Sequence, residues 1–117
     1  MSTRLKSSTA TKGEDLMNKA AKRPPIHPGR ILKHELDEAG LSANAAALAL
    51  RIPANRLTEI VNGRRSISAD TALRLGRFFG TSGQMWMNLQ SQYELQVAED
   101  QSAAKILREV EPLAKSA

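Results

Sequence analysis

The tightest constraint on this chain lies between Leu41 and Gly63, where two helical runs meet across a joint of only two residues, Arg51-Ile52. Ser42 is a natural N-cap for the first run, because its hydroxyl can accept from an otherwise unpaired amide of the opening turn. Ala43 to Leu50 consists of Ala and Leu apart from Asn44, and side chains that small let a second helix cross at close range. In the second run Leu57, Ile60 and Val61 recur at i, i+3 and i+4 and share one face. Asn55, Thr58, Glu59 and Asn62 share the other. Gly63 closes this helix, since glycine readily takes the left-handed conformation a C-cap needs, and Arg64 and Arg65 follow at once. Two helices so joined, the first small-sided and the second polar-fronted, make a helix-turn-helix.

Most surface helices have an apolar stripe and a polar side and read no nucleic acid, so the functional reading rests on the neighbourhood. The outer face here carries amides, a hydroxyl and a carboxylate, groups that can hydrogen-bond to base edges in a DNA major groove. The net charge of +5 is unevenly spread. Residues 51–80 carry six basic and two acidic groups, and residues 1–25 carry the same numbers. Residues 26–50 carry two basic and three acidic groups, and residues 81–117 three and five. All six bases of 51–80 are Arg, whose planar fork matches phosphate oxygens. A polyanionic partner for the middle of the chain follows; a merely solvated basic face is the alternative.

The remaining sequence has to supply a core without aromatic bulk. Only two Phe, one Tyr and one Trp occur in 117 residues. Leu, Ile, Val and Ala must therefore fill it, which favours packed helices over a sheet sandwich. With no Cys, disulfides, thiolate zinc sites and Cys nucleophiles are all excluded. No apolar run is long enough to span a bilayer, and the basic N-terminus lacks the hydrophobic stretch of a secretory signal. Neither HExxH nor a phosphate-binding glycine loop is found, and no paired carboxylates sit in an apolar setting. A cytoplasmic protein that is not an enzyme is expected, with no cofactor.

In chain order, residues 1–25 are expected to form a disordered basic tail, with a weak helix over Glu14–Lys22 conceivable. Residues 26–97 form the helical domain, and residues 98–117 add a C-terminal amphipathic helix. His27-Pro28-Gly29 opens the first helix, with Pro28 tolerated in its first turn and Gly40 as its stop. His27 and His34 are seven residues apart, but no third ligand follows at a suitable spacing, so no metal site is expected. Ser68 caps a fourth helix with Asp70 in its first turn, and Ala72, Leu75, Gly76 and Phe79 are its core stripe. Thr81-x-x-Gln84 fits a capping box for a fifth, whose apolar face is Trp86, Leu89, Tyr93 and Val97. A buried Trp86 would need an acceptor for its indole N–H. Over Ser102–Ala114 a sixth helix carries Ala103, Ile106, Leu107, Val110 and Leu113. That stripe must be buried on its own domain, on a second subunit or on another protein.

These strings carry a family resemblance. His27-Pro28-Gly29, Leu41-Ser42-Ala43, Asn55 through Arg65, Ser68 through Leu75, Phe79-Gly80-Thr81-Ser82 and Trp86 through Gln90 together resemble the lambda-repressor-like (XRE) helix-turn-helix family over residues 25–97. More narrowly, they are similar to its HigA-like antitoxin branch. The resemblance implies an all-α fold: a five-helix DNA-binding domain, here with an additional C-terminal helix. It also implies a homodimer on double-stranded operator DNA, repression of its own operon and a HigB/RelE-like toxin partner, usually an mRNA endonuclease. The chain departs from the family pattern at Arg51, where the turn usually has Gly; a non-Gly residue with positive φ costs on the order of 1 kcal/mol. Ala46 replaces a larger core residue, and Leu48 holds a usually polar position.

On this reading Asn55 and Glu59 face base edges, and Arg56 reaches a guanine edge or a phosphate. Thr58 and Asn62 complete the DNA-binding face, and Asn44, Arg64 and Arg65 contact the backbone. Beside phosphate, Glu59 is unhelpful unless it accepts from a cytosine amino group or orients Arg56. Two alternatives stand beside the antitoxin. One is a protein-interaction scaffold whose helix-turn-helix has drifted into toxin binding, supported by Arg51. The other is a stand-alone XRE-type regulator with no toxin. The last two helices are the expected dimer interface.

Overall fold

The computed structural model describes residues 24–114, and among these it contains five helices and no strand. They are α1 (Pro28–Ala39), α2 (Ala43–Leu50), α3 (Ala54–Val61), α4 (Ala69–Phe79) and α5 (Gly83–Glu109). The expectations for the N-terminal tail, its disorder and its weak helix, lie outside the described residues except at Pro24 and Pro25.

Helix starts follow the capping chemistry of the sequence. The Ser42 hydroxyl accepts from the Ala45 amide at 3.1 Å, and Ser68 accepts from Thr71 at 3.3 Å. The fifth cap lies one residue later than expected. Ser82 accepts from the Met85 amide at 3.1 Å, while Gln84 donates instead to the Asn88 side chain. Thr81 is thereby released to accept from the Trp86 indole N–H at 3.1 Å. The fully buried indole needs that acceptor more than the helix needs a second cap.

The helix ends share one device. After α1, α2, α3 and α4 a single residue turns left-handed: Gly40 at φ 70°, Arg51 at 61°, Gly63 at 77° and Gly80 at 71°. At all four, the next amide reaches back to the last turn, Leu41 to Leu36 at 2.9 Å, Ile52 to Ala47 at 3.1 Å, Arg64 to Glu59 at 2.8 Å and Thr81 to Gly76 at 2.9 Å. This is the Schellman arrangement. Arg51 is the one non-glycine residue with positive φ among the described residues, so the strain expected there is present.

The core sits where the helices cross, built from aliphatics of α1–α4 around Trp86, with Ile52 and Ile67 plugged in from the loops. Two crossings are close because a side chain is missing. A Cβ on Gly29 would run into the Ile60 carbonyl oxygen, so α1 lies directly against α3. On Gly76 it would come within 2.6 Å of the Gly83 backbone nitrogen, at the start of α5. Both sites are closed to larger residues by packing density.

The additional C-terminal helix is not a separate rod. Residues expected to form it continue α5, which runs unbroken from Gly83 to Glu109 and through the expected boundary at residue 97. Nothing between Val97 and Ser102 carries a Gly or Pro to stop it, and Val110–Ala114 is not helical. Its distal part is not packed on its own domain: Leu95, Ile106 and Leu107 on the helix, and Val110 and Leu113 in the segment after it, are all exposed, Leu107 by 82%.

Candidate nucleic-acid interface

The reading helix is positioned from behind. Leu57 and Ile60 are wholly buried and Val61 is partly so, which pins the aliphatic face of α3 against α1 and α2. Its opposite face consequently looks outward. Asn55, Thr58 and Asn62 are exposed, and Arg56 and Glu59 are half-buried. On α2, Asn44 stands exposed two residues after the Ser42 cap. Arg64 and Arg65 are exposed in the loop after Gly63. All eight residues of the expected DNA-binding set are thus solvent-accessible on α2, α3 or the turn that follows.

Most of that set is uncommitted. Among the described residues, the side chains of Asn44, Asn55, Arg56, Thr58, Asn62 and Arg64 make no hydrogen bond or ion pair. Their donors and acceptors are therefore available to a ligand. Glu59 and Arg65 are the exception: the Arg65 Nε donates to Glu59 Oε1 at 2.7 Å, both side chains remaining substantially exposed. The carboxylate is therefore paired with Arg65, and not with Arg56.

His27, which opens the first helix, also holds the loop after α3. Its Nδ1 accepts from the Gly29 amide at 2.9 Å and so caps α1. Its side chain lies against Gly63, two residues before Arg65. Its ring meets Tyr93 of α5 edge-on at 4.8 Å. Burial pushes the imidazole pKa below its ordinary value, opposed by the nearby Arg65 backbone. The signal was present in the sequence, since an acceptor directly before Pro-Gly at a helix start is a capping position.

Two further supports were not read in advance. Gln90 is buried, accepts from the Ile67 amide at 2.8 Å and donates to Glu94 at 2.8 Å, tying the α3–α4 connection to α5. Arg74 donates to the Leu50 carbonyl at 3.1 Å and to Asp70 at 2.8 Å. It thereby satisfies a carbonyl at the end of α2 and locks α4 onto the motif. A partner distant in sequence leaves no periodic trace, so neither contact could be found from spacing.

Among the described residues no group of three or more His, Asp or Glu could hold a metal ion. No helix there is long and apolar enough to cross a membrane.

A buried-backed polar helix set across a tight turn from a small-sided one defines the helix-turn-helix class, and the helix-turn-helix family model HTH_3 matches residues 32–86. Virulence-associated protein I of Dichelobacter nodosus is 53% identical over 77 residues, covering 65% of this chain and 71% of that protein. A HigA-family addiction module antidote protein from Coxiella burnetii superposes with a TM-score of 0.75 at 52% identity, over 78% of this chain and all of that one. The Pseudomonas aeruginosa antitoxin HigA, solved with the higBA promoter, gives 0.74 at 50% identity, over 77% of this chain and 99% of that one. The chain belongs to the XRE-type helix-turn-helix family and, within it, to the HigA-like antitoxins.

Proposed function

We propose that this protein is the antitoxin of a type II toxin–antitoxin pair, a dimer that binds operator DNA sequence-specifically and represses its own operon. Asn55, Arg56 and Glu59 read base edges, flanked by Thr58 and Asn62, while Asn44 and Arg64 grip the phosphate backbone. The observation that carries this reading is the state of α3, whose aliphatic face is turned inward, Leu57 and Ile60 wholly buried and Val61 partly so, while its polar face stays open. A HigA antitoxin solved with its promoter and sharing half of its sequence with this chain supports the same reading.

The role is one of binding, in the cytoplasm, without catalysis or a cofactor. Its protein partners are a second copy of the chain and a HigB/RelE-like mRNA endonuclease. The exposed distal face of α5 is the surface left for them. A half-site spacing of about one helical turn, or a multiple, follows from two-fold symmetry.

The test is binding to the DNA upstream of its own gene at physiological salt, against scrambled DNA of the same length. A preference of about a thousandfold or more is expected; equal affinity for both would overturn the reading. A scaffold that holds only toxin is the second reading, favoured by the strained Arg51 turn, and it predicts toxin binding with no such DNA preference.

A further inference from the structure

We infer that Arg65 is a positioning residue for Glu59, and that the pair, anchored by His27, reads a cytosine. The inference rests on the DNA-binding function proposed above. It moves Arg65 from the phosphate contacts to the reading head.

A carboxylate on the outer face of a recognition helix would enter a groove walled by phosphates, and like charges repel. An unpaired Glu59 would oppose binding of any sequence. Here its Oε1 already accepts from the Arg65 Nε at 2.7 Å, which offsets the charge and leaves Oε2 as an acceptor. Of the two base edges with an amino donor in the major groove, adenine N6 stands beside the N7 acceptor, which would repel the carboxylate, whereas cytosine N4 is the usual mate of a Glu side chain.

Pairing alone would mean little, because exposed ion pairs are weak and their side chains wander. What distinguishes this pair is how the Arg65 backbone is held. Gly63, at φ 77°, turns the chain back, and the Arg64 amide closes on the Glu59 carbonyl at 2.8 Å. Arg65 is thereby returned beside the helix turn that bears Glu59. The loop that carries it packs at Gly63 against His27, whose own place is set by the Gly29 amide and the Tyr93 ring. The guanidinium therefore extends from a point fixed by α1 and α5 together. By contrast Arg64, one residue earlier, has no side-chain partner among the described residues and remains the phosphate contact.

The experiment is a double-mutant cycle on the full chain. Binding is measured to the upstream DNA, to single-base variants of each half-site, and across salt concentration, for Arg65→Ala, Arg65→Lys, Glu59→Gln, Arg65→Ala with Glu59→Gln, and Arg64→Ala. Arg65→Ala should lose about tenfold or more of the preference for cytosine at one half-site position. In the Glu59→Gln background the same change should add little. Arg65→Lys should restore part of the preference, since it keeps the charge but not the fork. The salt slope should drop by about one for Arg64→Ala and by clearly less for Arg65→Ala.

An Arg65→Ala variant that weakens every sequence alike, lowers the slope as Arg64→Ala does, and does so whether or not Glu59 is changed would overturn the inference while leaving the DNA-binding function intact. Wild-type protein that fails to prefer its upstream DNA would remove both. A DNA-free readout stands apart from either outcome. The Arg65 Nε–H resonance should be resolved in free protein and lost on Glu59→Gln; its absence in the wild type would also overturn the pairing.

Discussion

Among the described residues two faces are left uncovered, and they differ in what exposure costs. The outer face of α3 is polar: Asn55, Thr58 and Asn62 are exposed and hydrated, so an unliganded protein carries it without penalty. The distal end of α5 and the segment after it are apolar, with five large aliphatics exposed between Leu95 and Leu113. Each buried aliphatic of that size is worth about 1.5–3 kcal/mol, so this face gains from any cover of matching shape. The first face can wait for a ligand chosen by hydrogen-bond pattern, whereas the second favours association as such. A contiguous apolar patch on a small domain marks a protein partner, and open amides beside arginines mark a nucleic-acid one.

The sharpest way to break this contrast is to truncate one leucine on each helix. Leu57→Ala removes a wholly buried side chain behind the reading face and should cost about 2–5 kcal/mol in urea unfolding. Leu107→Ala should cost the isolated chain less than about 0.5 kcal/mol, yet make its melting temperature less dependent on protein concentration. Equal losses at the two positions would mean that the distal face is buried in the free protein.

Within the reading face the next largest effect separates bases from phosphates. Arg56→Ala should cost about 1–3 kcal/mol on the preferred sequence and relax preference, while Arg64→Ala should weaken all DNA alike and reduce the salt slope by about one. Identical behaviour of the two variants in a binding titration would refute that division.

A smaller effect is expected at the turn. Arg51 holds φ 61° where the ends of α1, α3 and α4 use glycine, so Arg51→Gly should stabilise the fold by about 0.5–1 kcal/mol. No gain in thermal unfolding would show that the arginine side chain offsets its own strain.

The smallest is a pH dependence. Folding lowers the His27 pKa below 6.5, mainly by burial, so below that value the unfolded chain binds the proton first. Stability from this group is complete above the unfolded pKa and declines as pH falls from there through the folded one. His27→Asn keeps a side-chain acceptor for the cap, and in unfolding curves between about pH 7 and 5 it should flatten that decline. An unchanged slope would exclude His27 as its source.

Much of this was legible because helices announce themselves locally. The periodicity of Leu57, Ile60 and Val61, the Ser42 and Ser68 caps and the glycine stops are all satisfied within one or two turns of chain. The family resemblance over residues 25–97 rested on the same strings, and the outer face of α3 could be named from spacing alone. The continuity of α5 was misjudged for a reason that is also local. Its apolar stripe shifts from the domain-facing Trp86, Leu89 and Tyr93 to the outward Leu95 and Ile106, and a change of stripe mimics a change of helix. Thr81 was mistaken for the cap because a hydroxyl serves a helix amide and an indole N–H equally well, and spacing does not rank the two.

What the amino-acid order determined unaided was a set of helices, their ends, and which side of each is apolar, since these depend on neighbours within about four residues. What awaited the tertiary structure was every contact between distant residues. His27 packs against Gly63, the amide of Ile67 is bonded to Gln90, and the carbonyl of Leu50 to Arg74. Such pairs depend on how helices cross. The crossings in turn are set by summed packing around Gly29 and Gly76, where no single residue type predicts its partner.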